Sequence, residues 1–180
     1  IPLCDGSTIY LNVNSKLKYP RKFAKDERLI ELEGEAFFVV AKDSEKPFRV
    51  ISNKMVTEVV GTEFNIKSRN NNVELVVVEG KVNTYKVDNK KEKISLTKGK
   101  KVSYSVSKGF SKTTKVKAEE YVLWRKNKLA FNDTPLNQVM QEIEMCFNVK
   151  PKFNNKNLLN RKLTGVFQAD SLDEILSAIS

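Results

Sequence analysis

The chain has no histidine among its 180 residues. That absence removes the commonest general base, the Ser-His-Asp arrangement and most zinc sites together. Arginine is scarce too: of 32 basic residues only six are arginine and 26 are lysine. Lysine lacks the rigid fork that grips phosphates and base edges, so the net charge of +10 does not by itself describe a nucleic-acid binder. Lys86, Lys90, Lys91, Lys93, Lys98, Lys100 and Lys101 flank a predicted turn at Asp88 and Asn89. No aromatic residues are interleaved there to stack bases, and the cluster reads as solvated surface that also guards strand edges. No stretch approaches the ~18 apolar residues of a membrane helix, and no basic start followed by an apolar core resembles a signal peptide. No glycine-rich phosphate loop is present either. The two cysteines, Cys4 and Cys146, fall in different predicted domains and are read as structural rather than bridged. No cofactor and no metal are expected.

Set against these absences is a recurring plan, in which β-rich residues run into a lone glycine and out again. It occurs at Leu29–Val40 about Gly34, Met55–Lys67 about Gly61, Leu75–Val87 about Gly80 and Ile94–Val106 about Gly99. Branched and aromatic side chains suit a pleated surface, and an isolated glycine within them marks a bulge, tight bend or close backbone approach. The fold predicted for residues 1–116 is therefore mainly β, solenoid-like or a twisted β-sandwich. Alternation through the third stretch predicts a dry face of Val76, Val78, Gly80, Val82 and Thr84. In the first, it places Glu31, Glu33 and Glu35 together on one exposed edge.

The C-terminal third carries an internal duplication. Phe131, Leu136, Val139, Met140 and Ile143 align with Phe167, Leu172, Ile175, Leu176 and Ile179 at a constant offset of 36 residues. Each copy reads as a strand followed by a helix with one apolar stripe. Thr134 is expected to cap the first helix, with Pro135 at its first position, and Ser171 with Glu174 to form a capping box on the second. A strand is expected over 147–153. The predicted organisation is a small α+β domain of two tandem βαβ units over 128–180, joined to the β domain by a connecting helix or linker over 117–127, with the last strand missing. Trp124 reads either as a wedge between the domains or as an ordinary core residue.

The series Leu3, Asp5-Gly6-Ser7, Leu11-Asn12, Gly34-Glu35-Ala36-Phe37-Phe38-Val39, Pro47-Phe48-Arg49-Val50, Gly61-Thr62-Glu63-Phe64-Asn65-Ile66 and Glu79-Gly80-Lys81-Val82, with Trp124 and Leu129-Ala130-Phe131 further on, resembles the extracytoplasmic region of FecR-type anti-sigma regulators. Cys4 departs from the family's usual proline, where a small buried residue can substitute. The tandem units look like the short domain shared by secretins and TonB-dependent transporter N-termini (STN-like).

The resemblance implies a periplasmic signal-receiving region, tethered to the inner membrane by a span outside this chain. It would bind the signalling domain of a TonB-dependent outer-membrane transporter and control an extracytoplasmic-function sigma factor through a cytoplasmic segment also absent here. No catalysis and no nucleic-acid partner are expected. Leu129, Phe131, Leu163, Val166 and Phe167 are the candidate partner-binding residues, on a sheet edge open to strand addition. An alternative is a carbohydrate- or peptidoglycan-binding β module, with Tyr10, Tyr19, Tyr85, Tyr104 and Phe110 forming an aromatic face. A carboxylate hydrolase would need two acids facing each other at roughly 5–9.5 Å. The match of Ser105 and Lys108 to a Ser-x-x-Lys string falls in a predicted strand, where the two side chains face opposite ways.

Overall fold

A computed structural model describes residues 1–152 and 156–179. The strands run in chain order as β1 (Thr8–Leu11), β2 (Lys16–Lys18), β3 (Arg28–Val39), β4 (Phe48–Ser52), β5 (Met55–Val59), β6 (Glu63–Arg69), β7 (Asn72–Glu79), β8 (Lys81–Lys86), β9 (Asn89–Thr97), β10 (Lys100–Ser105), β11 (Gly109–Phe110) and β12 (Thr114–Lys115). A 3-10 segment (Ala118–Lys126) leads to β13 (Lys128–Pro135), helix α1 (Leu136–Phe147), a short 3-10 turn (Lys156–Asn160), β14 (Lys162–Gln168) and helix α2 (Leu172–Ile179). The chain divides into two compact units, Ile1–Glu119 and Glu120–Ser180. A mainly β first unit and an α+β second match the fold class predicted.

Strands β1–β12 form one curled sheet, a half-barrel, ordered β11-β10-β7-β6-β3-β4-β5-β8-β9, with β1 and β2 on β3 and β12 on β10. β3 belongs to both halves: Arg28–Glu31 pair with β4 in parallel, whereas Gly34–Val39 pair with β6 antiparallel. The four glycines all fall where the chain passes from one half to the other. Gly34 lies within β3, Gly61 between β5 and β6, Gly80 between β7 and β8, and Gly99 between β9 and β10. Because β9 and β10 stand near opposite ends of the strand order and are joined by two residues, the sheet must curl until those ends meet at a turn. The core fills the curl with Ile9, Ile30, Phe38, Phe48, Met55, Phe64, Ile66, Leu75 and Leu96, and Phe38 and Phe64 stack with ring centroids 4.8 Å apart.

Two expectations about these faces fail. The alternation of β3 runs unbroken through Gly34, with Ile30, Leu32, Ala36 and Phe38 all in the core, so Glu35 shares the outer face with Glu31 and Glu33; it is buried there while they remain exposed, because Asn12 and Asn65 cover it. In β7 it is Val73, Leu75 and Val77 that enter the core, and Val78 is half-buried; the regular count through Gly80 breaks because its positive φ starts a new strand.

The second unit departs from two βαβ units in detail. α1 ends at Asn148, a left-handed cap (φ 53°), and no strand forms over 148–152; Phe153, the end of the predicted strand, lies outside the described residues. β14 instead pairs directly with β13, and does so antiparallel, whereas a βαβ crossover makes parallel strands. The duplication itself is present as two strand-helix copies. Ala130 pairs with Val166, its own equivalent in the repeat, so a local two-fold relation runs through that pair.

Substituting Gly34→Ala tests the crossing. A Cβ there would lie 2.3 Å from Ser15 Oγ and 2.6 Å from Ser15 Cα, in a left-handed backbone. Overpacking and strain together predict a loss of about 2–5 kcal/mol, read as a lower urea midpoint at unchanged m-value.

Candidate docking site and its setting

The motif residues of the first unit build its frame. Asp5 accepts from Ser7 N at 3.1 Å and Ser7 Oγ at 2.7 Å, and Gly6 supplies the φ of +82° that this turn needs. Ser7 Oγ in turn accepts from Ala41 N at 3.0 Å. Arg28, 1% exposed, donates to Asp5 Oδ2 at 2.8 Å and to the carbonyls of Lys46 (2.8 Å), Ala41 (2.9 Å) and Asp43 (3.4 Å), with Phe48 beneath its guanidinium. The 40–47 connection, whose Pro47 carbonyl accepts from Arg28 N, is thus wrapped around one cation. Burial raises the Asp5 carboxyl, but Ser7 and Arg28 outweigh it and hold it below its ordinary value. Buried Glu35 is met by the carboxamides of Asn12 and Asn65, each at 2.9 Å. Thr62 Oγ1 bonds the Lys81 carbonyl at 2.9 Å beside Gly61 and Gly80, and Ala36, Phe48, Phe64 and Val82 are fully buried. These side chains hold strands together.

Glu58 has the most displaced carboxyl. Burial raises it, but hydrogen bonds from Lys93 (2.8 Å) and Arg49 (2.7 Å) prevail and hold it at about 2. The same carboxylate accepts from Tyr85 OH at 3.1 Å; burial and the Glu58 charge raise that phenol. A paired carboxylate held ionised at neutral pH is no proton donor there, and sequence reading gave no sign of this cluster because its members lie on four separate strands. Among the described residues no group of three or more acidic or cysteine side chains is placed to hold a metal. The proposed aromatic face is not assembled: Tyr85 and Tyr104 are buried, while Tyr10 and Tyr19 are exposed. Cys4 is exposed rather than buried, Cys146 packs half-buried against the second core, and no disulfide joins them.

In the second unit β13 and β14 form a ribbon with α1 and α2 packed on one face. Leu129, Phe131, Leu163 and Phe167 are buried there with Val139, Ile143 and Ile175, so four of the five candidate partner-binding residues are core. Val166 alone is exposed, at 53%. Trp124 is half-buried in the 3-10 segment. Thr134 does not cap α1: its hydroxyl accepts from Asn132 N at 3.1 Å, Pro135 occupies the cap position, and Leu136 N is satisfied by the Arg161 carbonyl at 2.8 Å.

The ribbon's register decides which backbone groups face outward. Ala169 N donates to Asn127 O at 2.8 Å, which sets Asn127 and Ala169 as a hydrogen-bonded pair. Counting inward, Leu129 with Phe167 is the next such pair, and Ala130 with Val166 is a non-hydrogen-bonded one. The N–H and C=O of Val166 therefore point away from β13. Among the described residues neither ribbon strand pairs on its outer side. The β13 edge is interrupted by a register shift between Phe131 and Thr134, where Asp133 has φ 51°; β14 keeps a positive φ nowhere. A bulge spoils an edge for pairing, which leaves β14 as the regular one.

The chain thus has two structural units, the second with an open strand edge among the described residues. The FecR protein family model matches residues 1–83 and the FecR C-terminal model matches 128–180. Crystal structures of a proposed anti-sigma factor from Parabacteroides distasonis, at 1.65 and 2.50 Å resolution, superpose with TM-scores of 0.87 and 0.84 at 28% identity. Each likeness covers 99% of this chain and 84% of the other. No curated protein matches in sequence. Together the two family matches and the structural likeness support a FecR-type anti-sigma factor. No helix among the described residues is long and apolar enough to cross a membrane.

The Glu58 cluster gives a pH dependence of defined sign. Its carboxyl is lower in the folded chain, about 2, than its ordinary 4.5, so the stabilisation is whole above pH 4.5 and declines as pH falls towards 2. Urea midpoints taken across that range should fall for the native chain and fall less for Glu58→Gln.

Proposed function

We propose that this chain is the periplasmic signal-receiving part of an anti-sigma factor, and that it receives its signal by strand addition. The partner is the signalling domain of a TonB-dependent outer-membrane transporter, which lays a strand along β14. A segment and membrane span outside this chain connect it to an extracytoplasmic-function sigma factor. The observation that carries the reading is the unpaired, regular β14 edge, with the Val166 backbone directed outward and its side chain exposed. Main-chain hydrogen bonds supply affinity in such docking, and side chains beside the edge supply choice of partner. No nucleic acid is required, and the lysines serve solubility and edge protection.

Val166→Pro is the test. The proline removes an outward N–H that the β13–β14 ladder does not use, so folding persists while an added strand loses a donor and meets the ring. Binding to the transporter's isolated signalling domain, followed by calorimetry, should weaken about tenfold or more, and Val166→Thr should bind as the native chain does. Native affinity in a folded Val166→Pro variant defeats the docking mode; no binding by the native chain defeats the partner.

A further inference from the structure

We propose that the first unit carries a second docking surface, a rim of turns at one end of the half-barrel that settles on an anionic phospholipid bilayer. The topology gathers these turns. From β4 onward the chain runs up and down the curl, so the crossings at Gly61, Gly80 and Gly99 fall at one end. The turns Asn53-Lys54, Asn70-Asn71, Val87-Asp88 and Val106-Ser107-Lys108 fall at the other. Hydrogen bonds tie them to one another: Val87 N donates to the Lys54 carbonyl at 2.9 Å and Val106 N to the Asn71 carbonyl at 3.2 Å. Arg69 reaches the Val13 carbonyl at 2.9 Å, which adds the Val13-Asn14 turn between β1 and β2. Lys86 Nζ lies 3.9 Å from where a Cβ at Gly109 would be, so the β8–β9 hairpin stands beside β10–β11.

Two properties of the rim point to lipid. Val13, Val87 and Val106 open three of the five turns and are 49%, 54% and 40% exposed, at positions where turn chemistry favours glycine, asparagine, aspartate or serine. Three apolar tips therefore stand in solvent without a local reason. The second property is charge. Residues 81–117 hold twelve lysines against Asp88 and Glu92, which is the chain's whole net +10, since the remainder has 20 basic and 20 acidic residues. Solubility asks for mixed charge, not for this concentration of one sign. Lys93 and Lys101 are paired, with Glu58 and Glu74. Among the described residues the side chains of Lys54, Lys86, Lys90 and Lys108 at the rim enter no ion pair, and Asp88 is the one acid in the five turns. Those turns contain no arginine and no aromatic residue, the anchors that hold protein partners. Lysine is a point charge suited to the diffuse field of a headgroup layer. Apolar tips set between lysines supply the two contributions that interfacial binding sums, buried apolar area and attraction to anionic lipid.

The surface does not involve the β14 edge, and the experiment keeps the two apart. The full chain is sedimented with vesicles of phosphatidylglycerol and phosphatidylcholine in equal parts, and with vesicles of phosphatidylcholine alone. It should bind the first and not the second, and molar salt should release it. Lys86→Gln, Lys90→Gln and Lys108→Gln together should weaken binding on the order of 100-fold, about fivefold per lysine. Val87→Asn with Val106→Asn should weaken it about 10-fold. Lys22→Gln with Lys25→Gln, in the loop before β3 and away from these turns, should bind as the native chain does, and so should Val166→Pro. No binding, equal binding to both vesicles, native binding by the lysine or the valine variant at an unchanged urea midpoint, or polyglutamate bound as tightly as the anionic vesicles would overturn the assignment.

Discussion

The first unit depends on a single constraint: the chain must pass repeatedly between two halves of one curled sheet without opening a gap in its core. Each passage brings backbone against backbone. Ser15 lies where a Gly34 side chain would be, Lys42 where one at Gly61 would be, and Thr62 with Gly61 where one at Gly80 would be. Gly61 and Gly80 are thus neighbours, and Thr62 ties their strands through the Lys81 carbonyl. The glycines permit the curl, and the curl encloses the aromatic and aliphatic core.

One passage solves the same problem by charge. Residues 40–47 carry β3 into β4 without a glycine, and their carbonyls converge on buried Arg28. A buried guanidinium without acceptors would cost several kcal/mol, so the loop and the cation require each other. Asp5 completes the shell from 23 residues upstream of Arg28, fixing the N-terminal turn to the same point. This arrangement commits the polar groups around Arg28 to the frame, which moves the proposed recognition to the place where backbone faces outward.

How much of this was readable in sequence depended on the range of the interaction. Local patterns were legible: the glycine-centred stretches and the apolar stripe of α1 rest on residues within a turn or a strand of one another, and the duplication repeats one such pattern 36 residues on. What failed was anything set by a neighbour distant in sequence. Glu35 lies on the face that alternation gives it, yet is buried because Asn12 and Asn65, 23 and 30 residues away, cover its carboxylate. The α1 cap came from Arg161 rather than Thr134, and the expected strand at 147–153 gave way to direct pairing of the two repeats. The candidate edge residues were legible as strand residues but not by face, since a one-residue error in register exchanges core for solvent.

The two units also differ in how far they can stabilise themselves, and this bears on signalling. The curled sheet closes nearly on itself, whereas the second unit has a ribbon of two strands, fewer than an independently stable sheet needs without its helices. Its second helix is less covered than its first: Val139, Met140 and Ile143 are buried in α1, but of the equivalent positions in α2 only Ile175 is fully so, and Leu176 is 40% exposed. A strand laid on β14 would add a third member to the ribbon, and whatever binds the folded unit alone stabilises it by mass action. In the docking proposed, partner binding is therefore felt as local order in the C-terminal unit, which is how such a regulator would register that its partner has arrived.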